Sequence, residues 1–185
     1  EVEAALEIFI EAGLQRDAIT VLHCLSAYPA PEDQINLRAM RTLAESFGCP
    51  VGYSDHTLGI TAPVAAVALG AVVIEKHLTL DVGLPGPDHC ASLEPEAFAA
   101  MVDAIRSCER MLGDGRKQPQ PAEQNTRLVA RRSLRAARLI RAGQPFQAED
   151  LICQRPADGV SPMLYPQVLG RKAHRRYDPG EAIDG

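Results

Sequence analysis

The chain has 185 residues, 19 Lys+Arg against 24 Asp+Glu, a formal charge of −5 and 46% hydrophobic residues. That balance is ordinary for a globular protein and excludes a collagen-like or disordered chain. The longest apolar stretches, such as 60–74, contain Thr, Pro and Gly and fall short of the roughly 20 residues that a membrane span requires. Residue 1 is Glu, and helical sequence follows without an initiator Met, a basic segment or an apolar signal core. The natural N-terminus is therefore expected to lie upstream. The five Cys, at 24, 49, 90, 108 and 153, form no CxxC pair, so neither a zinc knuckle nor a disulfide framework is expected. A reducing cytoplasm suits them. Charge is unevenly divided, with residues 1–118 at net −9 and residues 119–185 at net +4.

In chain order, 19–24 has strand composition, and Leu37, Met40, Leu43, Ala44 and Phe47 then recur at helical spacing. A second strand is expected at 51–54, a helix carrying Val64, Val67 and Ala68, and a third strand at 71–75. A last helix opens near Pro95 and presents Phe98, Met101, Val102, Ile105 and Met111 on one face. Alternating β and α elements, with strands apolar throughout, predict an α/β unit with a parallel sheet over 1–113. Polar chemistry recurs where each strand ends, which is where α/β sheets and barrels build their sites.

Residues 114–127 lack apolar periodicity and read as a linker. Beyond it, a β-rich module over 128–185 is expected, with β-prone pieces at 132–137, 139–146, 151–156 and 178–183 separated by turns at Gly143, Gly159 and Gly180. Its size, roughly 60 residues, is near the lower limit for independent stability. Arg131, Arg132, Arg135, Arg138 and Arg141 read as a solvated or docking face. No aromatic residues are interleaved among them, which argues against nucleic-acid binding.

Two segments place ionisable groups at strand ends, 52–57 and 74–77. His56 and His77 have the chemistry to share a divalent metal through neutral imidazoles, and the same residue types also serve as a helix cap and a core histidine. Glu75 and His77 are expected on one face of their strand and Lys76 on the other. A Glu75 ion pair to a neighbouring strand is the competing reading. The loop 84–92 is stiffened by two prolines around a glycine and is expected to hold Asp88 over the strand ends, or to be a simple turn with a solvated His89. Ser26 and Tyr28 follow the first strand and have hydroxyls for polyhydroxy or phosphate groups, although Tyr28-Pro29 also reads as a structural turn. Arg155 ends a strand of the second module with a guanidinium suited to carboxyl, phosphate or amide oxygens.

Read together, HCLSAYPAP (23–31), GYSDHTLG (52–59), ALGAVVIEKHLTLD (68–81), PGPDHCASLEP (85–95), ARRSL (130–134) and QRPADGVSPMLY (154–165) resemble the sialic acid synthase family, which makes N-acetylneuraminic, legionaminic and pseudaminic acids. The resemblance implies the C-terminal portion of a (β/α)₈ TIM barrel, about three βα units, followed by a small antifreeze-like SAF (β-clip) domain. It implies condensation of phosphoenolpyruvate with an N-acetylmannosamine-type sugar, using Mn²⁺ or Mg²⁺, in a cytoplasmic, domain-swapped homodimer. His56 and His77 match metal ligands. Ser54 matches a phosphoenolpyruvate contact, and Glu75, Tyr28 and Asp88 match positions around the sugar, with Glu75 and Asp88 as the catalytic carboxylates. Arg155 matches an arginine that reaches the sugar's N-acetyl group in the dimer partner, and Ser26 stands where some members place Asn near the substrates. The family's early barrel strands, with a catalytic Glu and substrate-binding lysines, have no counterpart here. A fragment with little or no activity is therefore expected, and a non-catalytic sugar- or protein-binding module that keeps the SAF domain is the alternative. The Pro-Gly-Pro-Asp-His loop resembles the neuraminic and legionaminic branches more than the pseudaminic one.

Overall fold

A computed structural model describes residues 1–184 and divides the chain into two compact units, Glu1–Arg116 and Lys117–Gly185. The first unit contains α1 (Val2–Glu11), β1 (Val21–Cys24), α2 (Ala39–Phe47), β2 (Val51–Asp55), α3 (Thr61–Ala68), β3 (Ile74–Lys76) and α4 (Pro95–Leu112). Its three strands form a parallel sheet in the order β1-β2-β3, with Cys24 opposite Ser54, Ser54 opposite Glu75 and Asp55 opposite Lys76. This is the predicted α/β arrangement.

Strand alternation assigns each face. Val51 and Tyr53 point into a core with Met40 of α2 and Ala62 and Ala66 of α3. A second cluster, Val67, Leu93, Met101 and Ile105, packs α4 onto α3. Proline at the first position opens α4 without costing a helical hydrogen bond. Met111, expected on the packed face, is instead exposed in the last turn of this eighteen-residue helix, whose partner α3 has only eight residues. The third strand also starts later than expected. Gly70 turns the chain at φ +102°, Ala71 is drawn into the core, and only at Ile74 does regular strand begin.

Gly52 lies on the opposite face of β2, where a Cβ would stand 2.6 Å from the Val73 carbonyl oxygen and collide with Leu22. Only glycine allows the chain entering β3 to pass so close.

The second unit contains α5 (Gln124–Ala130), β4 (Ser133–Ala136), β5 (Leu151–Gln154) and α6 (Tyr165–Val168), with β4 and β5 antiparallel. Helix α5 begins inside the segment expected to be a linker. The pieces expected as strands at 139–146 and 178–183 are reduced to single bridges, Ile140 to Tyr177, Pro145 to Lys172 and Arg135 to Ala182. Pro145 and Pro179 lack the N–H that a ladder needs, and Gly143 and Gly180 turn at positive φ. A core of Leu134, Ala136, Ile140, Phe146, Val168, Ala173, Tyr177 and Ile183 holds the unit together. Of the arginines expected on a solvated or docking face, Arg135 is largely withdrawn from solvent and pairs with Asp158, whereas Arg138 stays exposed while its Nε lies 2.6 Å from the fully buried Asp150. Among the described residues, no helix is long and apolar enough to cross a membrane.

Candidate active site

The C-terminal ends of β2 and β3 carry the site. With Val51, Tyr53 and Asp55 turned to the helices, alternation sends Ser54 and His56 to the other face, and Glu75 and His77 follow in the same sense. Ser54 Oγ donates to Glu75 Oε1 at 2.6 Å. The Glu75 carboxylate is exposed and makes no ion pair among the described residues, so the competing reading of Glu75 as an interstrand salt bridge fails. The strand's ion pair belongs to its neighbour Lys76, on the far face.

His56 and His77 stand with ring centroids 5.1 Å apart and planes tilted by 57°. His56 is buried, and its Nδ1 lies 3.1 Å from the Leu25 carbonyl oxygen. A carbonyl only accepts, so Nδ1 carries a proton, and in the neutral ring Nε2 is then the nitrogen with a lone pair. This is the backbone-anchored arrangement typical of a ligating histidine. Cys24 Sγ, at 3.5 Å, is a second neighbour of Nδ1. The backbone of each histidine is also held: the His56 carbonyl accepts from Ala30 N at 2.8 Å and the His77 carbonyl from Leu93 N at 2.9 Å. Two imidazoles each about 2.1 Å from one cation, bonded at nearly a right angle, have centroids roughly 5 Å apart, so the donor pair fits a divalent ion. No group of three or more His, Cys, Asp or Glu is placed to hold a metal among the described residues.

Tyr28 joins this cluster, its ring 4.2 Å from that of His56 and 5.8 Å, edge-on, from that of His77. Ser26 is exposed nearby in sequence, 3.9 Å from Cys24 Sγ. The loop bearing Asp88 is closed at its neck by the Leu78–Leu93 bridge and stitched internally, Ser92 Oγ to the Asp88 carbonyl at 2.7 Å and Thr79 Oγ1 to His89 Nδ1 at 2.7 Å. His89 is therefore engaged rather than solvated. Asp88 is half-buried, and among the described residues its carboxylate takes no hydrogen bond. Arg155 lies exposed just past β5, in the second unit. The structure thus gathers Ser54, Glu75, His56, His77 and Tyr28, and among the described residues no hydrogen bond or ion pair joins Asp88 or Ser26 to Glu75. A groove of about 200 Å³ lined by Val67, Ile74, Phe98 and Met101, with Arg106 and Glu109 among its other lining residues, contains none of these residues.

Sequence reading missed the network beneath the site. Lys76 Nζ and Asp55 Oδ2 form an ion pair whose side chains have 0% exposure, and Lys76 Nζ also donates to the Thr57 carbonyl at 2.7 Å. The signal was available: opposite charges at Asp55 and Lys76 share the face of Tyr53 and Ile74, which alternation assigns to the core.

The first unit thus carries an imidazole pair and a hydroxyl–carboxylate pair at the ends of parallel strands, and a small β unit follows it in sequence. Residues 1–117 match the NeuB family and residues 131–185 the SAF domain. The chain belongs to the NeuB family. It is 45% identical, over 99% of its length and 55% of the relative's, to the N,N'-diacetyllegionaminic acid synthase of Campylobacter jejuni. Among solved structures, it resembles the N-acetylneuraminic acid (sialic acid) synthetase of Leptospira borgpetersenii in complex with citrate, with 41% identity, a TM-score of 0.59, and coverage of 68% of this chain and 43% of that one. The spore coat polysaccharide biosynthesis protein of Bacillus subtilis matches with 32% identity, a TM-score of 0.55, and coverage of 98% and 56%. The chain spans about half the length of the curated relatives it matches.

Proposed function

We propose that this chain is the C-terminal half of a cytoplasmic nonulosonic acid synthase that condenses phosphoenolpyruvate with an N-acetylmannosamine-type sugar. The observation that carries this reading is the juxtaposition, in a NeuB-family chain, of the His56–His77 pair with the Ser54–Glu75 pair. In the reaction, C3 of phosphoenolpyruvate bonds to the aldehyde carbon of the open-chain sugar, water adds at C2, and the C2–O bond breaks to release phosphate.

His56 and His77 hold Mn²⁺ or Mg²⁺, and that ion, when bound, supplies Lewis acidity and orientation for a carbonyl oxygen. Ser54 steers the Glu75 carboxylate through its hydrogen bond, leaving the second carboxylate oxygen to accept from a sugar hydroxyl. Tyr28 covers the two imidazoles and narrows the access of water. Asp88, held on a stitched loop with a carboxylate that takes no hydrogen bond among the described residues, is the second carboxylate facing the sugar, and Ser26 adds a hydroxyl. Arg155 reaches the N-acetyl oxygen of the sugar bound by a second copy of the chain, as a homodimer with exchanged SAF domains requires.

The three parallel strands are read as three βα units of a (β/α)₈ barrel. The exposure of Ile8, Phe9, Leu78 and Leu80, at 67%, 50%, 61% and 85%, supports apolar neighbours supplied by further barrel elements. A phosphate-release assay of the full-length protein with Mn²⁺ and phosphoenolpyruvate tests the function. Release with N-acetylmannosamine assigns a neuraminic acid product, and release with its 2,4-diacetamido-6-deoxy counterpart a legionaminic one. No release with either sugar overturns the proposal.

A further inference from the structure

We infer that Asp55 and Lys76 are positioning residues, which set the spacing of His56 and His77 from the face of the sheet turned away from substrate. The inference rests on reading the two histidines as a metal-binding pair. Each charged residue immediately precedes one histidine, and the two are direct partners in the β2–β3 register. Both side chains are wholly buried.

A buried ion pair is a poor source of stability, because desolvating two charges consumes most of the attraction. A pair of apolar side chains of similar volume would fill the same buried space without the cost of desolvating two charges. What such a pair lacks is direction. Here the Asp55 carboxylate takes Lys76 Nζ on Oδ2, the Thr57 backbone N–H at 3.0 Å on Oδ1 and the Thr57 hydroxyl at 3.2 Å on Oδ2. Lys76 Nζ returns a bond to the Thr57 carbonyl at 2.7 Å. The residues on both sides of His56 are thereby tied to the residue before His77. Sliding β3 along β2, or twisting the 55–57 segment, breaks at least one of these bonds. On the site face, the Ser54–Glu75 bond fixes the register one residue earlier and leaves the histidines themselves to the network behind them.

The test uses the full-length protein and Mn²⁺ alone, with bound and free metal counted by electron paramagnetic resonance. In Asp55→Leu/Lys76→Met both charges are lost and the volume is retained, so the protein is expected to keep its melting temperature within a few degrees. Its Kd for Mn²⁺ is expected to rise about 10- to 100-fold, the usual effect of losing support behind a metal ligand. A folded double variant with wild-type Mn²⁺ affinity overturns the inference. Should that variant fail to fold, Thr57→Val decides: a severalfold weaker Kd supports the network and an unchanged Kd overturns it. The underlying reading is separated by His56→Ala/His77→Ala. If that variant binds Mn²⁺ as the wild type does, the ligand assignment is at fault, whatever the double charge variant shows.

Discussion

Ser54 and Glu75 face each other across β2 and β3, and the Ser54 hydroxyl donates to the Glu75 carboxylate at 2.6 Å. The bond crosses between adjacent strands, so the carboxylate is oriented by the sheet rather than by a loop. Ser54→Ala in the full-length protein is expected to lower kcat/KM about tenfold, the worth of one hydrogen bond to a charged group. Glu75→Gln keeps the shape and loses the charge, and a fall of about 10²-fold is expected. Steady-state phosphate release over a range of sugar concentrations measures both, and an unchanged Glu75→Gln enzyme would remove Glu75 from the site.

Metal dependence should follow the imidazole pair. Chelation of the full-length protein is expected to abolish phosphate release and Mn²⁺ to restore it. His56→Ala/His77→Ala should show no recovery at any Mn²⁺ concentration, because both nitrogen ligands are gone. Metal-stimulated turnover in that variant would refute the assignment.

Gly52 is where strand spacing is most exposed to a single methyl group. Gly52→Ala puts a carbon 2.6 Å from a backbone oxygen that cannot move without displacing the start of β3. A loss of about 1–3 kcal/mol is expected, the usual cost of overpacking. Chemical denaturation reads it directly, and a variant as stable as the wild type would show that the strands have slack.

Acid should unfold the second unit through its aspartates. Burial pushes the Asp150 carboxyl up, but the Gln147 N–H and the Arg138 guanidinium outweigh it and hold the group below the ordinary carboxylate range. Asp158 is held down first by its hydrogen bond to Arg135. A carboxyl depressed in the folded state contributes stability above its unfolded pKa and loses that contribution as pH falls through the folded value. Stability of this unit is therefore expected to be flat near neutrality and to fall below about pH 4. Asp150→Asn should cost about 1–3 kcal/mol at pH 7 and flatten the acid limb. Thermal unfolding followed from pH 7 to pH 3 measures both effects, and parallel curves for the two proteins would contradict them.

The isolated 185-residue chain is expected to turn over little or no substrate, since about half the length of its relatives is not represented in it. Normal turnover from this chain alone would refute its reading as part of a larger barrel.

Length and charge establish a globular chain with an acidic and a basic half, and the apolar periodicities establish a parallel α/β sheet in the first of them. These are local properties: each strand and helix is written in a few adjacent residues, and period-2 alternation separates Glu75 and His77 from Lys76 before any coordinate is known. Glycine and proline spacing likewise marks the turns of the second unit, although not that Pro145 and Pro179 would reduce two expected strands to single bridges. Register is different, because it depends on how two strands far apart in sequence pack. Only the tertiary structure places Ser54 opposite Glu75 and buries Asp55 against Lys76, and only it shows that the acidic and basic partners of that half meet inside the protein. A net charge of −9 over residues 1–118 conceals this pair, because a sum over residues carries no information about which charges are neighbours.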